Sequence, residues 1–228
     1  MFDFRRRLPA ALTAGMMVLL VPLITPAHAV TFGFTKITNN GNVDVGTQLS
    51  LNITAESATQ TRFTFSNTGS IASSITDIYF INQAPLLFQG LINPPTAGTA
   101  PTFDPSAGVA FSSPATPANL PGAPASFDPV RFSADSDSPV SSNGINPGET
   151  LGIIFTLLSG KSFADVIAAM FAGTLQVGLH VQSIGLTGGS DSYLAATPLP
   201  GALPLFATGL ACLGLLRWRR KSRNVALA

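Results

Sequence analysis

Residues 174–184 read TLQVGLHVQSI and alternate apolar with polar side chains. In a β-strand, successive side chains point to opposite faces, so every second residue lies on the same side. One face would carry Leu175, Val177, Leu179 and Val181, and the other would carry Gln176, Gly178, His180 and Gln182. The stretch therefore predicts a strand with one face in a hydrophobic core and the other in polar surroundings.

The same alternation, with turn signals between the segments, occurs elsewhere in the chain. The other segments are residues 31–37, 48–54, 61–67, 75–81 and 150–158. Segment 75–81 has β-branched and aromatic residues on both faces, which predicts a strand buried on both sides. Short alternating strands separated by turns are typical of antiparallel β-sandwiches. We therefore predict a mainly all-β fold, an antiparallel β-sandwich in residues 30–184, followed by a spacer at 185–196.

One short helix is predicted between the last two strands of this domain. Ser162 and Asp165 have the spacing of a capping box at its start, and Gly173 is a typical residue for its end. Apolar side chains recur between them at helical spacing and predict one buried stripe. The stripe consists of Phe163, Val166, Ile167, Met170 and Phe171. The order strand, helix, strand over residues 150–184 leaves a different strand pairing open for this part.

A long proline-rich insertion, residues 82–148, interrupts the strands. Eleven of the 18 prolines of the chain lie between Pro94 and Pro147. Phe103, Phe111, Phe127 and Phe132 are spread through the stretch between these two prolines, so its composition differs from that of a disordered linker. We predict a loop that packs against the domain and includes short strands at residues 109–111 and 130–133.

A secretory signal peptide is predicted at residues 1–29. An arginine-rich n-region precedes an apolar h-region at residues 10–24. Ala27 and Ala29 form a small-x-small cleavage site directly before Val30. The alternative is a signal anchor that stays attached, but the position of the cleavage site favours removal.

The C-terminal segment, residues 197–228, has three parts in a fixed order. The tripeptide Pro198-Leu199-Pro200 comes first, an uncharged run extends through residues 199–216, and a basic cluster follows. At ~1.5 Å per residue the run spans roughly 27 Å, close to the ~30 Å apolar core of a bilayer. The basic cluster is Arg217, Arg219, Arg220, Lys221 and Arg223. Because such clusters stay on the cytoplasmic side, we predict a C-terminal transmembrane helix with a stop-transfer signal.

This order of motif, apolar span and basic end resembles the PEP-CTERM sorting domain of exported proteins in Gram-negative bacteria. Pro198 and Pro200 match its proline pair, while Leu199 stands where the family name has glutamate. The resemblance implies processing by exosortase, a membrane-embedded cysteine protease-like transpeptidase. It also implies export, a transient inner-membrane anchor with the body in the periplasm, and delivery to the cell envelope or the extracellular space. A generic C-terminal membrane anchor is the alternative.

Charge is segregated along the chain. Only 10% of all residues are charged, and residues 30–197 contain four basic and ten acidic residues, a net charge of −6. Nucleic-acid binding requires a basic surface, so nucleic acid is excluded as a partner. The single cysteine, Cys212, lies in the apolar run. No intramolecular disulfide can form, and the domain must be stabilised by its core.

Two short motifs resemble ligand sites without meeting their requirements. Gly160-Lys161-Ser162 ends like a phosphate-binding loop, but Phe155 stands where that motif needs glycine. Residues 135–138 begin like a calcium-binding EF-hand, but the later ligands and the glycine are missing. A looser calcium site stays open as a hypothesis, with a solvated acidic turn as the alternative. Its candidate ligands are Asp128, Asp135 and Asp137.

His180 is the only histidine that remains after removal of the signal peptide. A serine hydrolase would need it as the general base, yet no serine lies in a Gly-x-Ser-x-Gly motif. A zinc site would need further histidine or cysteine ligands, and no spacing of carboxylates selects a glycosidase pair. We therefore predict no catalytic residue, no metal, no cofactor and no enzymatic activity, and an ordinary surface or half-buried His180.

Together these features predict a non-catalytic exported protein of the cell envelope or extracellular matrix. Its predicted partners are exosortase and the inner membrane, with extracellular polysaccharide as a further candidate. The alternative function is a carbohydrate-binding β-sandwich module, which needs exposed aromatic rings as platforms. Its candidates are Tyr79, Tyr193 and the phenylalanines, because the single tryptophan, Trp218, lies in the C-terminal segment.

Overall fold

The computed structural model describes residues 29–83, 87–91 and 100–196, which are built around one antiparallel sheet. Its strands are β1 (Val30–Lys36), β2 (Leu49–Ser57), β3 (Gln60–Asn67), β4 (Ser74–Asn82), β5 (Thr102–Pro105), β6 (Phe111–Ser112), β7 (Val130–Ser136), β8 (Thr150–Thr156), β9 (Leu175–Ile184) and β10 (Gly189–Ala196). Their order in the sheet is β5-β8-β3-β2-β1-β10-β9-β4-β7-β6. The predicted mainly antiparallel β fold is therefore confirmed.

The sheet curls until its two halves face each other across one hydrophobic core and it is nearly closed. The ring of Phe80 on β4 lies 5.2 Å from that of Phe63 on β3 and 5.0 Å from that of Phe155 on β8, between centroids. Phe132 on β7 lies 5.9 Å from Phe80. Because β1 is hydrogen-bonded to both β2 and β10, the two halves are joined into one continuous sheet.

Two short helices and two 3₁₀ turns occur in the described segments, where the sequence predicted one helix. They are α1 (Val140–Asn143), α2 (Phe163–Ala172), and the turns Gly46–Gln48 and Gln89–Leu91. Helix α2 begins with the predicted capping box, in which the Asp165 carboxylate accepts a hydrogen bond from the Ser162 backbone N–H at 2.8 Å. It ends at Gly173, which adopts the left-handed conformation that favours glycine, with φ 71°. The predicted start and end of this helix are confirmed.

Strand β4 is buried along its whole length, as its sequence predicted. Its inner face joins the main core, and its outer face carries Tyr79 and Ile81 in a second apolar cluster. Residues 113–129, which we call the strap, lie over that outer face and contribute Leu120 and Phe127 to the second cluster. The proline-rich insertion therefore covers a sheet face that would otherwise expose apolar side chains.

Two predicted loops contain strands. The prediction of a spacer at residues 185–196 is wrong, because β10 occupies Gly189–Ala196 and pairs with β1 and β9. Burial of Tyr193 and two ladders of backbone hydrogen bonds outweigh the low strand propensity of its glycine, serine and aspartate residues. The insertion at residues 82–148 supplies β5, which was not predicted, and β6 and β7, which overlap the short strands predicted at residues 109–111 and 130–133.

The first and last strands lie side by side. Gly33 on β1 pairs with Ala196, the last residue of β10. Because the two strands are antiparallel, the start of β1 and the end of β10 lie at the same end of the sheet. Within the part of the chain described here, no helix has the length and apolar character to cross a membrane. The predicted transmembrane segment, residues 199–216, and residues 1–28 of the predicted signal peptide lie outside the described residues.

Candidate functional site

A row of polar side chains crosses four neighbouring strands on the outer face of the sheet. Ser192 on β10 is paired in register with His180 on β9, His180 with Asp77 on β4, and Asp77 with Asp135 on β7. A register shift between Ile75 and Asp77 precedes the row on β4. Such a bulge locally re-aims the strand, and here it accompanies an aspartate within an otherwise apolar run.

Asp77 is the centre of this polar row. Its Oδ2 lies 2.9 Å from Nδ1 of His180 and accepts a hydrogen bond from the Thr76 hydroxyl at 2.9 Å. Its Oδ1 lies 3.4 Å from the hydroxyl of Tyr79. The Asp77 side chain is 2% exposed and that of His180 is 15% exposed. A buried carboxyl group needs such partners, because an unpaired one would lose its hydration without compensation.

One end of the strap is hydrogen-bonded to the sheet by Asp135 of the polar row and by two side chains next to the row, Tyr79 and Ser133. The Tyr79 hydroxyl donates to the carbonyl oxygen of Pro117 at 2.8 Å. The Ser133 hydroxyl accepts from the backbone N–H of Ala115 at 3.1 Å, and Asp135 Oδ2 accepts from that of Thr116 at 3.4 Å. Three consecutive strap residues are therefore bound by side chains of β4 and β7.

Further along the strap, Leu120 and Phe127 pack over Gly178 of β9. A Cβ atom on Gly178 of β9 would lie 2.5 Å from Cδ2 of Leu120 and 3.0 Å from the ring of Phe127. Glycine in a strand interior often marks a place where another group approaches closely. The two apolar side chains of the strap thus occupy the space that any larger residue on β9 would need.

The electrostatics of the row follow from burial and from its adjacent carboxyl groups. Burial and the neighbouring Asp77 charge both raise the pKa of Asp135, and the hydrogen bond from Thr116 only partly opposes them. Burial, followed by the Asp77 charge, also raises the pKa of Tyr79 well above its usual value. The Tyr79 hydroxyl therefore stays protonated and remains a donor to the strap.

The Asp77–His180 pair is the acid and base portion of a serine-hydrolase arrangement, and Ser192 lies opposite the histidine. Among the residues that the structure describes, however, no hydrogen bond joins the Ser192 hydroxyl to the His180 ring. Ser192 is also only 1% exposed, so a substrate could not reach its hydroxyl. The geometry supports a role for His180 in holding β9 to β4 through Asp77.

Replacing Asp135 with asparagine is expected to stabilise the protein at pH 7 by less than about 1 kcal/mol, the usual range for a partly exposed charge pair. The raised pKa means that the folded state disfavours the ionised carboxylate. This penalty is present at neutral pH and vanishes below the unfolded-state pKa of about 3.9. Denaturant unfolding at pH 7, 5 and 3 should show an advantage of Asp135→Asn that shrinks as the pH falls.

Asp137→Asn is the matched control for this prediction. Asp137 is exposed, and its Oδ1 accepts a hydrogen bond from the Ser112 hydroxyl at 2.8 Å. The Asp137→Asn substitution removes one negative charge, as Asp135→Asn does, but at a position two residues away that makes no contact with Asp77. An equal gain at pH 7 in both variants would mean that net charge, rather than the Asp77–Asp135 pair, is responsible.

A second buried aspartate, Asp191 on β10, holds the turn after β1. Its Oδ2 lies 2.8 Å from Lys36 Nζ and accepts from the Gly41 backbone N–H at 3.0 Å. Its Oδ1 accepts from the Thr38 hydroxyl at 2.9 Å and from the Asn40 backbone N–H at 2.8 Å. Burial acts to raise the pKa of Asp191, but the bonds to Lys36, Asn40, Thr38 and Gly41 together outweigh it, so the pKa is lowered. This carboxylate is fully partnered and has a structural role.

The residues proposed from sequence for calcium do not share a ligand cage. Asp135 binds Thr116 of the strap, and Asp137 binds Ser112. No group of three or more His, Cys, Asp or Glu side chains in the described ranges could hold a metal ion. Ser162, which ends the Gly160-Lys161-Ser162 motif, is the N-cap residue of α2.

The two tyrosines considered as carbohydrate platforms are fully buried. Tyr79 lies under the strap, and Tyr193 faces the main core with its hydroxyl 3.2 Å from the backbone N–H of Val45. Neither ring can stack on a sugar from solution. Phe171 is the large aromatic side chain that remains exposed in the described part of the chain, at 47%.

Sequence reasoning missed Asp77 and Asp191 as organising residues. For Asp77 the available signal was its position inside a segment that was expected to be buried on both faces, since buried charges are rarely tolerated without partners. Asp191 lay in the predicted spacer, where the sequence offered no such signal. The predicted sorting residues Pro198, Leu199 and Pro200 and the five cations of the basic cluster lie outside the described residues. Of the predicted cleavage site, Ala29 precedes β1, and Val30 begins it.

Comparison with known proteins adds no further assignment. No protein-family model, curated protein or solved structure matches the chain. Its function must therefore be argued from the sequence and the structure.

Proposed function

We propose that the chain is a non-catalytic exported protein of the cell envelope or extracellular matrix, delivered by its C-terminal PEP-CTERM-like segment. The observation that carries this proposal is the extent of the folded domain. The first strand begins at Val30, directly after the predicted cleavage site, and the last strand ends at Ala196, directly before the predicted sorting segment. All ten strands of the described residues lie between the two predicted cleavage regions, so cleavage at either would leave these strands intact.

The pairing of β1 with β10 adds a second argument. Because the start of β1 and the end of β10 lie at one end of the sheet, the signal peptide and the sorting segment leave the domain on the same side. The signal peptide and the sorting segment can then insert into the same membrane without any change in the fold of the domain. This topology suits a chain that is held at a membrane during export by its two ends.

In the proposed route, the signal peptide directs export and is cleaved after Ala29. Residues 199–216 then form the transmembrane helix, and the basic cluster holds its end on the cytoplasmic side. Exosortase would process the segment near Pro198–Pro200 and release the folded domain. The domain itself would act by its presence in the envelope or matrix and would need no reaction centre.

The test is to express the full chain in a Gram-negative host with and without an exosortase. Intact-mass measurement should show removal of residues 1–29 in both hosts, and loss of the C-terminal segment only where exosortase is present. A tail that remains uncleaved in both hosts would contradict the sorting proposal.

Proline variants make this test specific to the motif. Replacing Pro198 and Pro200 with alanine should abolish exosortase-dependent processing. Pro204→Ala is the matched control, because it removes a proline from the same segment but lies outside the motif. Equal processing of both variants would show that the motif is not what the enzyme recognises.

A further inference from the structure

A pocket of ≈ 350 Å³, lined mainly by apolar residues, lies at the end of the sheet where the described domain ends. Its lining consists of Phe32, Met170, Gly173, Leu175, Gln176, Ala195 and Ala196. These residues come from β1, the end of α2, the start of β9 and the end of β10. The volume lies at the lower end of the roughly 300–1,000 Å³ range of small-ligand pockets.

Helix α2 leaves an exposed aromatic ring beside this pocket. Phe171, which is 47% exposed, packs its ring 5.7 Å from that of Phe32, measured between centroids. The next residue but one, Gly173, lines the pocket itself. Sequence analysis placed Phe171 in the buried stripe of α2, but only Val166 and Met170 of that stripe are buried. The helix therefore presents more apolar surface here than the described domain covers.

We infer that this pocket receives the side chain of Leu199, so that the domain holds Pro198-Leu199-Pro200 against its own surface. The sorting role of this tripeptide rests on the proposed function. Its docking in the pocket would be a property of the chain alone and does not require exosortase. The proposed occupant is the chain's own C-terminal segment.

Distance supports this occupant. Ala195 and Ala196 are themselves part of the lining, so the described chain ends at the rim of the pocket. Leu199 follows Ala196 by three residues, and an extended chain spans about 3.3–3.6 Å per residue. Its backbone can therefore reach about 10 Å from Ala196 without any change in the sheet. Leu199 is the first large apolar residue after β10.

The chemistry of the pocket also suits the side chain of Leu199 and its flanking prolines. The lining residues carry no charge, and all but Gln176 are apolar. The Gln176 side-chain amide already donates to the carbonyl oxygen of Gly173 at 2.9 Å, so the site favours an aliphatic side chain over an ionic ligand. The flanking prolines fix their own φ angles and restrict the residue before each of them to extended conformations. A segment restricted in this way loses less conformational entropy when it docks.

Tethering favours the chain's own segment over a free ligand. A short linker gives the tethered group an effective concentration in the millimolar range. Even a weak apolar contact would then be populated within one molecule. Docking would make Pro198–Pro200 less accessible to any enzyme that must bind them in extended form, and its release would precede processing.

The sequence provides a convenient probe for the test. Met170 lines the pocket, and the other three methionines are Met1, Met16 and Met17. The full chain, with Met16→Leu and Met17→Leu, is labelled with ¹³C-methyl methionine and studied in detergent micelles. The Met170 resonance is assigned by its loss in Met170→Leu. We expect Leu199→Ser to shift this resonance, and the matched control Leu203→Ser to leave it unchanged.

A peptide of residues 197–203, added to the Leu199→Ser variant, should move the Met170 resonance back toward its position in the parent chain. An unchanged resonance in Leu199→Ser would overturn the inference, as would a shift that Leu203→Ser reproduces. A resonance that follows detergent concentration equally in all variants would assign the pocket to an amphiphile and also overturn it. Exosortase-dependent cleavage is measured separately, so failure of docking and failure of the sorting proposal are distinguishable.

Discussion

Replacing Asp191 with alanine is expected to lower the free energy of unfolding by about 3–5 kcal/mol, the range for removing one partner of a buried ion pair. The substitution leaves Lys36 Nζ without its carboxylate. It also leaves the backbone N–H groups of Asn40 and Gly41 without their acceptor. Because these groups lie in the turn after β1, we expect the turn to loosen together with the contact between β1 and β10. Denaturant unfolding followed by circular dichroism measures the loss.

The pH dependence of the same variant gives an independent check. The pKa of Asp191 is lowered in the folded state, so its stabilising effect is present above the unfolded-state pKa and is lost as the pH falls through the folded-state pKa. The difference between the parent chain and Asp191→Ala should therefore shrink in acid. Asp137→Ala, which removes an exposed aspartate, should cost no more than about 0.5 kcal/mol. Equal losses for the two variants would contradict a buried clamp at Asp191.

Replacing Phe80 with alanine is expected to cost about 3–5 kcal/mol, the usual range for removing a buried phenylalanine. Phe80 is fully buried and packs against rings from β3, β7 and β8. The cavity would lie where the two halves of the sheet meet, so relaxation of one strand cannot fill it. Thermal and denaturant unfolding measure the change.

Phe171→Ala is the matched control for this core substitution. It removes the same side chain from a half-exposed position on α2, and we expect a loss of about 1 kcal/mol or less, because little apolar area is removed from burial. If both variants lost the same stability, the aromatic cluster around Phe80 would not be the core of the domain.

Most strands and helix α2 were predictable because their signals are local. Alternation in residues 174–184 and helical spacing after Ser162 each lie within about one dozen residues, and the structure contains β9 and α2 at these positions. Capping chemistry fixed the start of α2 because both partners are three residues apart. A pattern of this kind needs no knowledge of tertiary packing.

The continuous sheet and the polar row could not be read from local patterns. Asp77 and His180 are 103 residues apart, and only the register of β4 with β9 brings them together. Strand β10 was missed because its glycine, serine and aspartate residues have low strand propensity, and its stability comes from neighbours on both sides. Register and strand order are set by distant contacts, which composition does not contain.

The position of β10 between β1 and β9 determines when this domain can finish folding. A chain that becomes available from its N-terminus presents β1 first, and β2 can cover one edge of β1 early. The other edge stays unpaired until residues 189–196 arrive, about 160 residues later. Through that interval β1 keeps a free hydrogen-bonding edge that another chain could occupy. The last strand therefore acts as the closing step of the fold and ties completion of the domain to delivery of its C-terminal end.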